Sequence, residues 1–321
     1  MKTSAGKSFK KIYDLLGIWV ILIILFLLLS ITTGDTFLKV SNLINLLRQI
    51  CVTCLVAVGA TFVVCSGEID LSSGDVAALA GCLSATLMVK HGWSTWSSIL
   101  VVLLVGMLFG CLIGFVVTLL KVPAFIASLG MMYVLQGIVL LLTRGIPING
   151  LNKDYIAIGR GYVGMIPIPV IIVGVIIAIG TFIFKYTRFG RNIQSVGENA
   201  TAASLSGINV VLIKVAAFTV GGLMSALGGV MLTARLSSGQ PTAASDLCLT
   251  AMAGVFVGGT SALNTEHPMT NTLAGSLIIG LINNGMNLLE INAYWQKVVL
   301  GVIIIASIAM DSYRTSKAAK A

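Results

Sequence analysis

The sequence predicts an all-α polytopic membrane protein with about ten transmembrane helices, and two observations of composition predict that class. Hydrophobic residues make up 57% of the 321 positions and charged residues only 10%, and the mean hydropathy is +1.02. Between Lys214 and Arg235 lie twenty residues without a charge. A soluble domain carries about 25% charged residues, so most of this surface must face lipid.

Ten apolar runs along the chain give the helix count. A helix needs roughly 20 residues to cross about 30 Å of hydrocarbon. Strands of a membrane barrel would alternate in polarity instead of staying apolar. The clean runs are Leu15–Gly34, Gln49–Gly67, His91–Leu120, Val122–Thr143, Gly161–Phe184, Val215–Ala234 and Leu247–Thr265, and the less regular ones are Val76–Val89, Pro268–Leu289 and Val298–Met310.

The basic residues predict how the chain is oriented. Four lysines precede the first run and no small-residue cleavage site follows Leu29, which indicates an uncleaved anchor. Ten crossings then place the tails 1–14 and 311–321 and the loop 185–214 in the cytoplasm, with 12 Lys and Arg inside and 8 outside. We therefore expect a single transmembrane domain, 1–321, with both ends in the cytoplasm. The net charge of +9 is an orientation signal, and no nucleic-acid partner is expected.

The residues that usually carry catalysis are sparse. Two histidines lie 176 positions apart, and no metal-ligand spacing is present. No GxxxxGK[ST] phosphate-binding loop occurs, so energy from ATP would have to come from another chain. We expect no enzyme activity, no metal and no cofactor in this chain. All six cysteines lie in or beside apolar runs and are interpreted as small buried hydrophobes, namely Cys51, Cys54, Cys65, Cys82, Cys111 and Cys248.

Small residues indicate close helix packing and an internal repeat. Gly106, Gly110 and Gly114 form overlapping GxxxG patterns, and Gly254 with Gly258 forms another. The tetrapeptide Leu-Ser-Ser-Gly starts at residue 71 and again 165 positions later. Five helices separate the copies, which predicts opposite orientations, as in inverted-repeat transporters. Four matching small residues also arise by chance, so the repeat is a hypothesis.

The densest acidic point between two runs contains Glu68, Asp70, Ser72 and Asp75. One interpretation is a short turn at the membrane surface, with Ser72 or Ser73 capping a helix that holds Asp75 in its first turn. The other is a break inside the membrane where polar groups line a passage.

Three amides lie within the ninth run, Asn283, Asn284 and Asn287. Spacings of three and four residues place them on one helix face. That face must point into protein or water, because lipid cannot satisfy an amide. The amides either bond to a neighbouring helix or line a path for a hydroxyl-rich solute.

The loop 185–214 predicts a short cytoplasmic helix. Asn199 is placed to cap a helix of small residues, and Gly207 stands where a helix-ending residue needs a positive φ. The flanking Lys and Arg residues make the segment basic. Such a knob of small residues can enter a groove on a partner.

Several passages resemble the inner-membrane permease subunits of bacterial ribose-type ABC importers, in order over residues 40 to 310. The matching passages are Ser66–Gly74 (SGEIDLSSG), Phe125–Gly137 (FIASLGMMYVLQG), Thr187–Ile193 (TRFGRNI), Gly197–Val210 (GENATAASLSGINV), Ala234–Thr242 (ARLSSGQPT) and Gly280–Leu289 (GLINNGMNLL).

The resemblance implies an importer permease fold and a homodimeric pore. It also implies a tandem ATP-binding subunit that uses ATP and Mg below the membrane, and a periplasmic sugar-binding protein above it. Ribose or a related monosaccharide would be the solute. Coupling to the ATPase is implied for Gly197, Glu198, Asn199, Ala202, Ala203, Ser206, Gly207 and Ile208, and we assign the substrate pathway to Glu68, Asp70, Ser72, Phe125, Gln240, Asn283, Asn284 and Asn287.

The turn after Thr260 departs from such permeases, which usually have a glycine-rich turn with a basic residue there. Residues 262–269 read ALNTEHPM, so backbone freedom is lost and a proline is gained. The consequence for coupling stays open. The alternative function is an ion-coupled secondary transporter with Glu68, Asp70 or Asp75 as cation sites.

Overall fold

The computed structural model describes residues 4–260 and 267–319, with side chains described from 17 to 309. Within these ranges the chain forms fourteen helices and four two-residue strands. In chain order they are α1 Ser4–Thr32, α2 Asp35–Leu38, α3 Val40–Cys65, α4 Ser73–His91, α5 Thr95–Leu119, α6 Ala124–Thr143, β1 Ile148–Asn149, α7 Lys153–Arg160, β2 Tyr162–Val163, β3 Ile166–Pro167, α8 Ile168–Tyr186, α9 Arg188–Glu198, α10 Ala200–Leu205, α11 Val210–Leu236, β4 Ser238–Gly239, α12 Leu247–Val257, α13 Pro268–Leu288 and α14 Ala293–Ala319.

The ten predicted runs correspond to α1, α3 to α6, α8 and α11 to α14, which confirms the all-α polytopic class. Within the described residues, α3, α5, α6, α8 and α11 are long and apolar enough to cross a membrane. Shorter apolar helices are Gly17–Thr32, Leu247–Val257 and Ala293–Ala309. The cysteine interpretation is confirmed, because five are buried and Cys111 is half-buried.

Several helix boundaries differ from the predicted runs. Helix α8 begins at Ile168 and not at Gly161, because the β2–β3 hairpin precedes it, and α14 spans Ala293–Ala319, beyond both ends of the predicted run. Helix α3 begins at Val40 and not at Gln49. Its first turns carry polar residues that are exposed or half-buried, and Asn42 is bonded to the Asn284 amide.

Helix α12 ends at Val257, well short of Thr265. Gly259 has φ +67°, and the Thr260 N–H bonds the Val255 carbonyl at 3.1 Å, which closes the helix end. The altered turn 262–269 lies mostly outside the described residues, and Pro268 begins α13.

Helices α3 and α11 form the centre of the bundle and run antiparallel. A Cβ built on Gly59 would lie 2.8 Å from Met224 Cβ, whereas Gly228 faces Val56 and Val52. Because residue numbers fall along one helix as they rise along the other, the two helices run in opposite directions. From residue 50 onward nearly all of α3 is buried, so this helix faces protein on all sides.

The contacts follow the predicted repeat. Helices α4 and α5 pack on α11, as α12 and α13 pack on α3. In the same way α4 contacts α6, and α12 contacts α14. The chain therefore contains two four-helix units, α3 to α6 and α11 to α14. The second and third helices of each unit pack on the first helix of the other. Their opposite directions follow from the antiparallel α3 and α11, and the inverted-repeat hypothesis is supported.

Helices α4 and α12 both begin near the middle of the bundle. Gly229 of α11 faces Ala77, so Ser73 lies roughly midway along α11. A Cβ on Gly74 would lie 2.9 Å from the Ala244 carbonyl oxygen and 3.1 Å from the Cys248 nitrogen. The amino ends of the two helices therefore meet, as the broken helices of repeat transporters do.

Glycines at the contact between α5 and α11 predict that replacing one of them lowers stability far more than replacing a glycine with open space around it. A Cβ on Gly106 would lie 2.5 Å from Ala226 Cβ, and a Cβ on Gly114 would lie 2.8 Å from Val215 Cα. No atom lies within 4 Å of a Cβ on Gly130, in α6. We expect Gly106→Ala to lower stability by about 1–3 kcal/mol through overpacking.

Gly130→Ala is the matched control, and we expect it to be neutral or slightly stabilising. Thermal unfolding of the detergent-solubilised protein measures both variants. Equal unfolding temperatures for the two would contradict the close approach of α5 and α11.

Candidate functional site

The coupling segment, defined as α9 and α10 with the connection to Val210, has capped ends as the sequence predicts. The Asn199 side chain accepts a hydrogen bond from the Ala202 N–H at 2.9 Å, and Gly207 has φ +84°. The Ile208 N–H bonds the Ala203 carbonyl at 3.0 Å, which completes a left-handed helix end. Helix α9 is an addition to the prediction, and Thr187 caps it by accepting from the Gly190 N–H at 3.2 Å.

Most residues assigned to coupling lie on the surface of this segment. Glu198, Asn199, Ala202, Ser206 and Gly207 are exposed, and Gly197 and Ile208 are half-buried. Ala203 is the exception, because it is only 4% exposed and packs into the apolar core beneath α10. It therefore anchors the segment and does not face outward.

Leu205 is the residue that sequence reasoning missed. It is 86% exposed at the end of α10, where the other exposed residues are small or polar. An isolated leucine among Ala, Ser and Thr is the signal that could have identified it. Its exposure gives the segment an apolar tip suited to a groove on a partner.

The coupling segment is joined to the end of α3 by two contacts. The rings of Phe62 and Phe189 stack with centroids 6.4 Å apart. Gly67, with φ +84°, lies against Gly197, where an added Cβ would be 3.4 Å from the Gly197 Cα. Helix α9 is therefore in direct contact with the end of α3.

An ion pair makes the third connection. Lys214, in the first turns of α11, donates to the Glu68 carboxylate. The side chains are 18% and 19% exposed, so the pair is largely shielded from water. We name it the Glu68–Lys214 brace. It links the carboxyl end of the coupling segment to residues 66–72, which form the acidic connection between α3 and α4.

The acidic connection is built around Asp70. Its Oδ1 accepts from the Ser72 N–H at 2.8 Å and from the Ser72 hydroxyl at 2.7 Å. Ser72 occupies the N-cap position of α4, as the sequence predicts, but it makes no side-chain cap hydrogen bond because its hydroxyl donates to Asp70. Asp75 does lie in the first turn of α4. Asp70 is 4% and Ser72 0% exposed, so both face protein, and the break lies inside the bundle.

The predicted pathway residues do not form a single cluster. Asn284 exchanges amide hydrogen bonds with Asn42, at 3.0 and 3.2 Å, so it bonds a neighbouring helix. Asn42 lies near the start of α3 and Glu68 beyond its end, which places the two groups roughly 35–40 Å apart along the helix.

The remaining pathway assignments differ in exposure. Asn287 is exposed and accepts from the Gln296 side chain at 2.8 Å, while Asn283 is half-buried. Phe125 is 55% exposed. Gln240 donates to the Ser238 hydroxyl at 3.0 Å. Glu68, Asp70 and Ser72 lie together in the connection between α3 and α4, and the three asparagines lie together in α13. All eight residues stay predictions for the substrate path.

Three arginines meet at the other end of α11, about 30 Å from Lys214. Arg48 of α3 donates to the Arg160 carbonyl, and Arg160 Nε donates to the Arg235 carbonyl at 2.7 Å. We name this group the arginine cluster. Sequence reasoning missed it because the three positions are far apart along the chain.

Comparison with known proteins gives a family for this architecture. The family model described as branched-chain amino acid transport system / permease component matches residues 42–308. No solved structure matches.

The relatives include two ribose permeases and a xylose permease. The chain is 43% identical over 303 residues to the ribose import permease of Haemophilus influenzae, covering 93% of each chain. It is 38% identical to the ribose import permease of Bacillus subtilis, covering 96% of this chain and 94% of that one. The xylose transport system permease of Escherichia coli is 31% identical, with 91% and 90% covered. These matches confirm the resemblance to ribose-type permeases, and the chain belongs to this family of transport-system permease components.

Proposed function

We propose that the chain is the membrane-spanning permease subunit of an ATP-driven importer of ribose or a related monosaccharide in the bacterial inner membrane. The names of its relatives support the sugar class. The single observation that carries the coupling mechanism is the capped coupling segment with exposed Leu205 at its tip. It is joined to the bundle at Gly67 and Glu68.

The energy for transport would be supplied by a partner subunit that binds and hydrolyses ATP with Mg²⁺. Closure of that ATPase would push on α10, and Ala203 and Ile208 would pass the movement to the core. The Glu68–Lys214 brace would carry it to the break between α3 and α4. Two copies of the chain would then alternate between outward-facing and inward-facing states, without covalent chemistry in this subunit.

The proposed importer also contains a soluble sugar-binding protein and a second copy of this chain. A soluble sugar-binding protein would deliver the solute from the periplasm to a dimer of this chain. The basic residues of 1–14, 185–214 and 311–321 favour the cytoplasm for these segments. The arginine cluster would then face the periplasm, because it lies at the opposite end of α11 from Lys214.

The alternative, an ion-coupled secondary transporter, is less consistent with the acidic residues. Glu68 already has Lys214 as a partner, and the Oδ1 atom of Asp70 accepts two hydrogen bonds from Ser72. A cation site would need carboxylate oxygens that point together, and within the described residues no group of three or more His, Cys, Asp or Glu comes together.

Reconstitution in proteoliposomes tests the proposal. Uptake of radiolabelled ribose is expected only when the permease, the ATPase subunit, ATP and the sugar-binding protein are all present. Omitting any one component is the control. Uptake by the permease alone, driven by a proton or sodium gradient, would favour the secondary transporter and overturn the ATP-driven mechanism.

A further inference from the structure

Asp75 and Gln136 form a polar pair between two helices of the first unit. Asp75 lies in the first turn of α4, and Gln136 of α6 forms a side-chain hydrogen bond with its carboxylate. No ion pair of the described residues includes Asp75. Both side chains are half-buried, so part of each is open to whatever fills the space beside the bundle.

The pair lies deep in the membrane-spanning part of the bundle. Helix α4 begins roughly midway along α11, where Gly229 faces Ala77, and Gln136 stands roughly 18 Å from the start of α6 and roughly 10 Å from its end. A partly exposed carboxylate at this depth cannot face acyl chains without a large cost. Lipid phosphate lies at the membrane surface, too far away to reach it. The open side of the pair therefore faces water or protein.

The face of α6 that carries Gln136 is suited to a small polar solute. Tyr133 stands three residues earlier on the same face and is 66% exposed, so it presents an aromatic ring with a hydroxyl at its tip. Gly137 is exposed, and no atom lies within 4 Å of a Cβ built on it. Open space therefore adjoins the amide.

The connection between β4 and α12 lies on the other flank of Asp75. A Cβ on Gly74 would lie 2.9 Å from the Ala244 carbonyl oxygen, so the first turn of α4 contacts this connection through one residue and α6 through the next. Thr242 and Ser245 of the connection are exposed. Short hydroxyl side chains at this depth are also better placed against water than against acyl chains.

We propose that Asp75 and Gln136, together with Tyr133, form a binding site for the sugar inside the membrane. A carboxylate accepts hydrogen bonds from sugar hydroxyls, and an amide both donates to them and accepts from them. The tyrosine ring would cover an apolar face of the sugar. The inference rests on the proposed function, since it places the solute of that importer on a defined part of its path.

A neutral polyol suits the pair better than dry contact with a second copy of the chain. Such contact would remove water from the Asp75 carboxylate, and neither α5 nor α6 carries a basic residue to compensate the charge. A polyol replaces the lost water with hydroxyl donors and needs no opposite charge.

Cysteine labelling in nanodiscs tests whether the pair faces water. Gln136→Cys in a Cys111→Ala background should react with a charged, membrane-impermeant methanethiosulfonate reagent, while the other five cysteines are buried. Val134→Cys is the matched control, because Val134 is 53% exposed on the opposite side of α6, where lipid would prevent the reaction. Equal labelling of the two variants, or no labelling of Gln136→Cys during ATP turnover, would overturn the site.

Uptake in proteoliposomes tests whether the sugar contacts the pair. With saturating ribose-loaded binding protein and ATP, Asp75→Asn and Gln136→Leu should each lower the maximal rate of ribose uptake by about ten-fold or more. Asp154→Asn is the matched control, because Asp154 is an exposed acid in the first turn of α7, and it should leave the rate unchanged. Wild-type rates for both Asp75→Asn and Gln136→Leu would remove the assignment.

Other readouts separate sugar contact from a structural role. Basal ATP hydrolysis, the unfolding temperature and the affinity for the loaded binding protein should match the wild type for Gln136→Leu. A lowered unfolding temperature with an equal fall in basal hydrolysis assigns the pair to helix packing and overturns the inference. Disulfide cross-linking of two copies through Gln136→Cys assigns the surface to dimer contact and also overturns it. Absence of ATP-dependent uptake by the wild type contradicts the proposed function instead.

Discussion

Replacing Leu205 with aspartate is expected to abolish sugar uptake while leaving the permease folded. The side chain is 86% exposed, so the charge costs little in the isolated subunit. In the complex, a leucine removed from water contributes about 1.5–3 kcal/mol, and a charge in its place adds a desolvation cost. We therefore expect association with the ATPase to weaken by roughly one hundred-fold or more. Co-purification of the ATPase and uptake in proteoliposomes measure the loss.

Two variants give this prediction its controls. Leu205→Met keeps an apolar tip and should preserve uptake. Ala203→Asp places a charge at a residue that is 4% exposed, so it should lower the unfolding temperature of the permease, whereas Leu205→Asp should not. Normal ATPase co-purification by Leu205→Asp would show that the tip of α10 does not dock.

Breaking the Glu68–Lys214 brace is expected to uncouple ATP hydrolysis from uptake. Removing one member of a buried pair costs about 3–5 kcal/mol, and the partial exposure of this pair reduces the figure to roughly 1–2 kcal/mol. Glu68→Gln and Lys214→Gln should each lower the sugar transported per ATP hydrolysed, because the movement of α11 no longer reaches the end of α3. Parallel assays of uptake and phosphate release measure that ratio.

The exposed pair Lys297–Asp246 is the matched control for the brace. Its atoms lie 3.1 Å apart, but the side chains are 67% and 55% exposed, so Asp246→Asn should have little effect on the ratio. The exchanged double variant Glu68→Lys with Lys214→Glu should recover part of the coupling. A ratio that stays at the wild-type value in both single variants would exclude the brace from the transmission path.

The sequence was most informative where the physical signal is local. Charge-free runs predict helices because lipid tolerates little else, and all ten runs correspond to helices. The cap at Asn199 and the positive φ at Gly207 were also predictable, since each depends on residues within a few positions.

What could not be predicted depends on distant residues. Glu68 and Lys214 are 146 positions apart, and a pairing between them needs the antiparallel arrangement of α3 and α11. The cap hydrogen bond of Ser72 is missing because Asp70 competes for the Ser72 hydroxyl, an arrangement that local propensity does not reveal. Ala203 is buried because α10 packs on the bundle, and a small residue alone carries no signal for that.

The position of α11 has a consequence for how the protein is made. Three helices of the first unit, α3, α4 and α5, pack on it, yet it is synthesised only after all of them have left the ribosome. Until residue 236 has been translated, the glycine faces of those helices lie unmatched in the bilayer. The first unit therefore completes its packing only when α11 enters the bilayer, and α12 and α13 must still follow before α3 is covered.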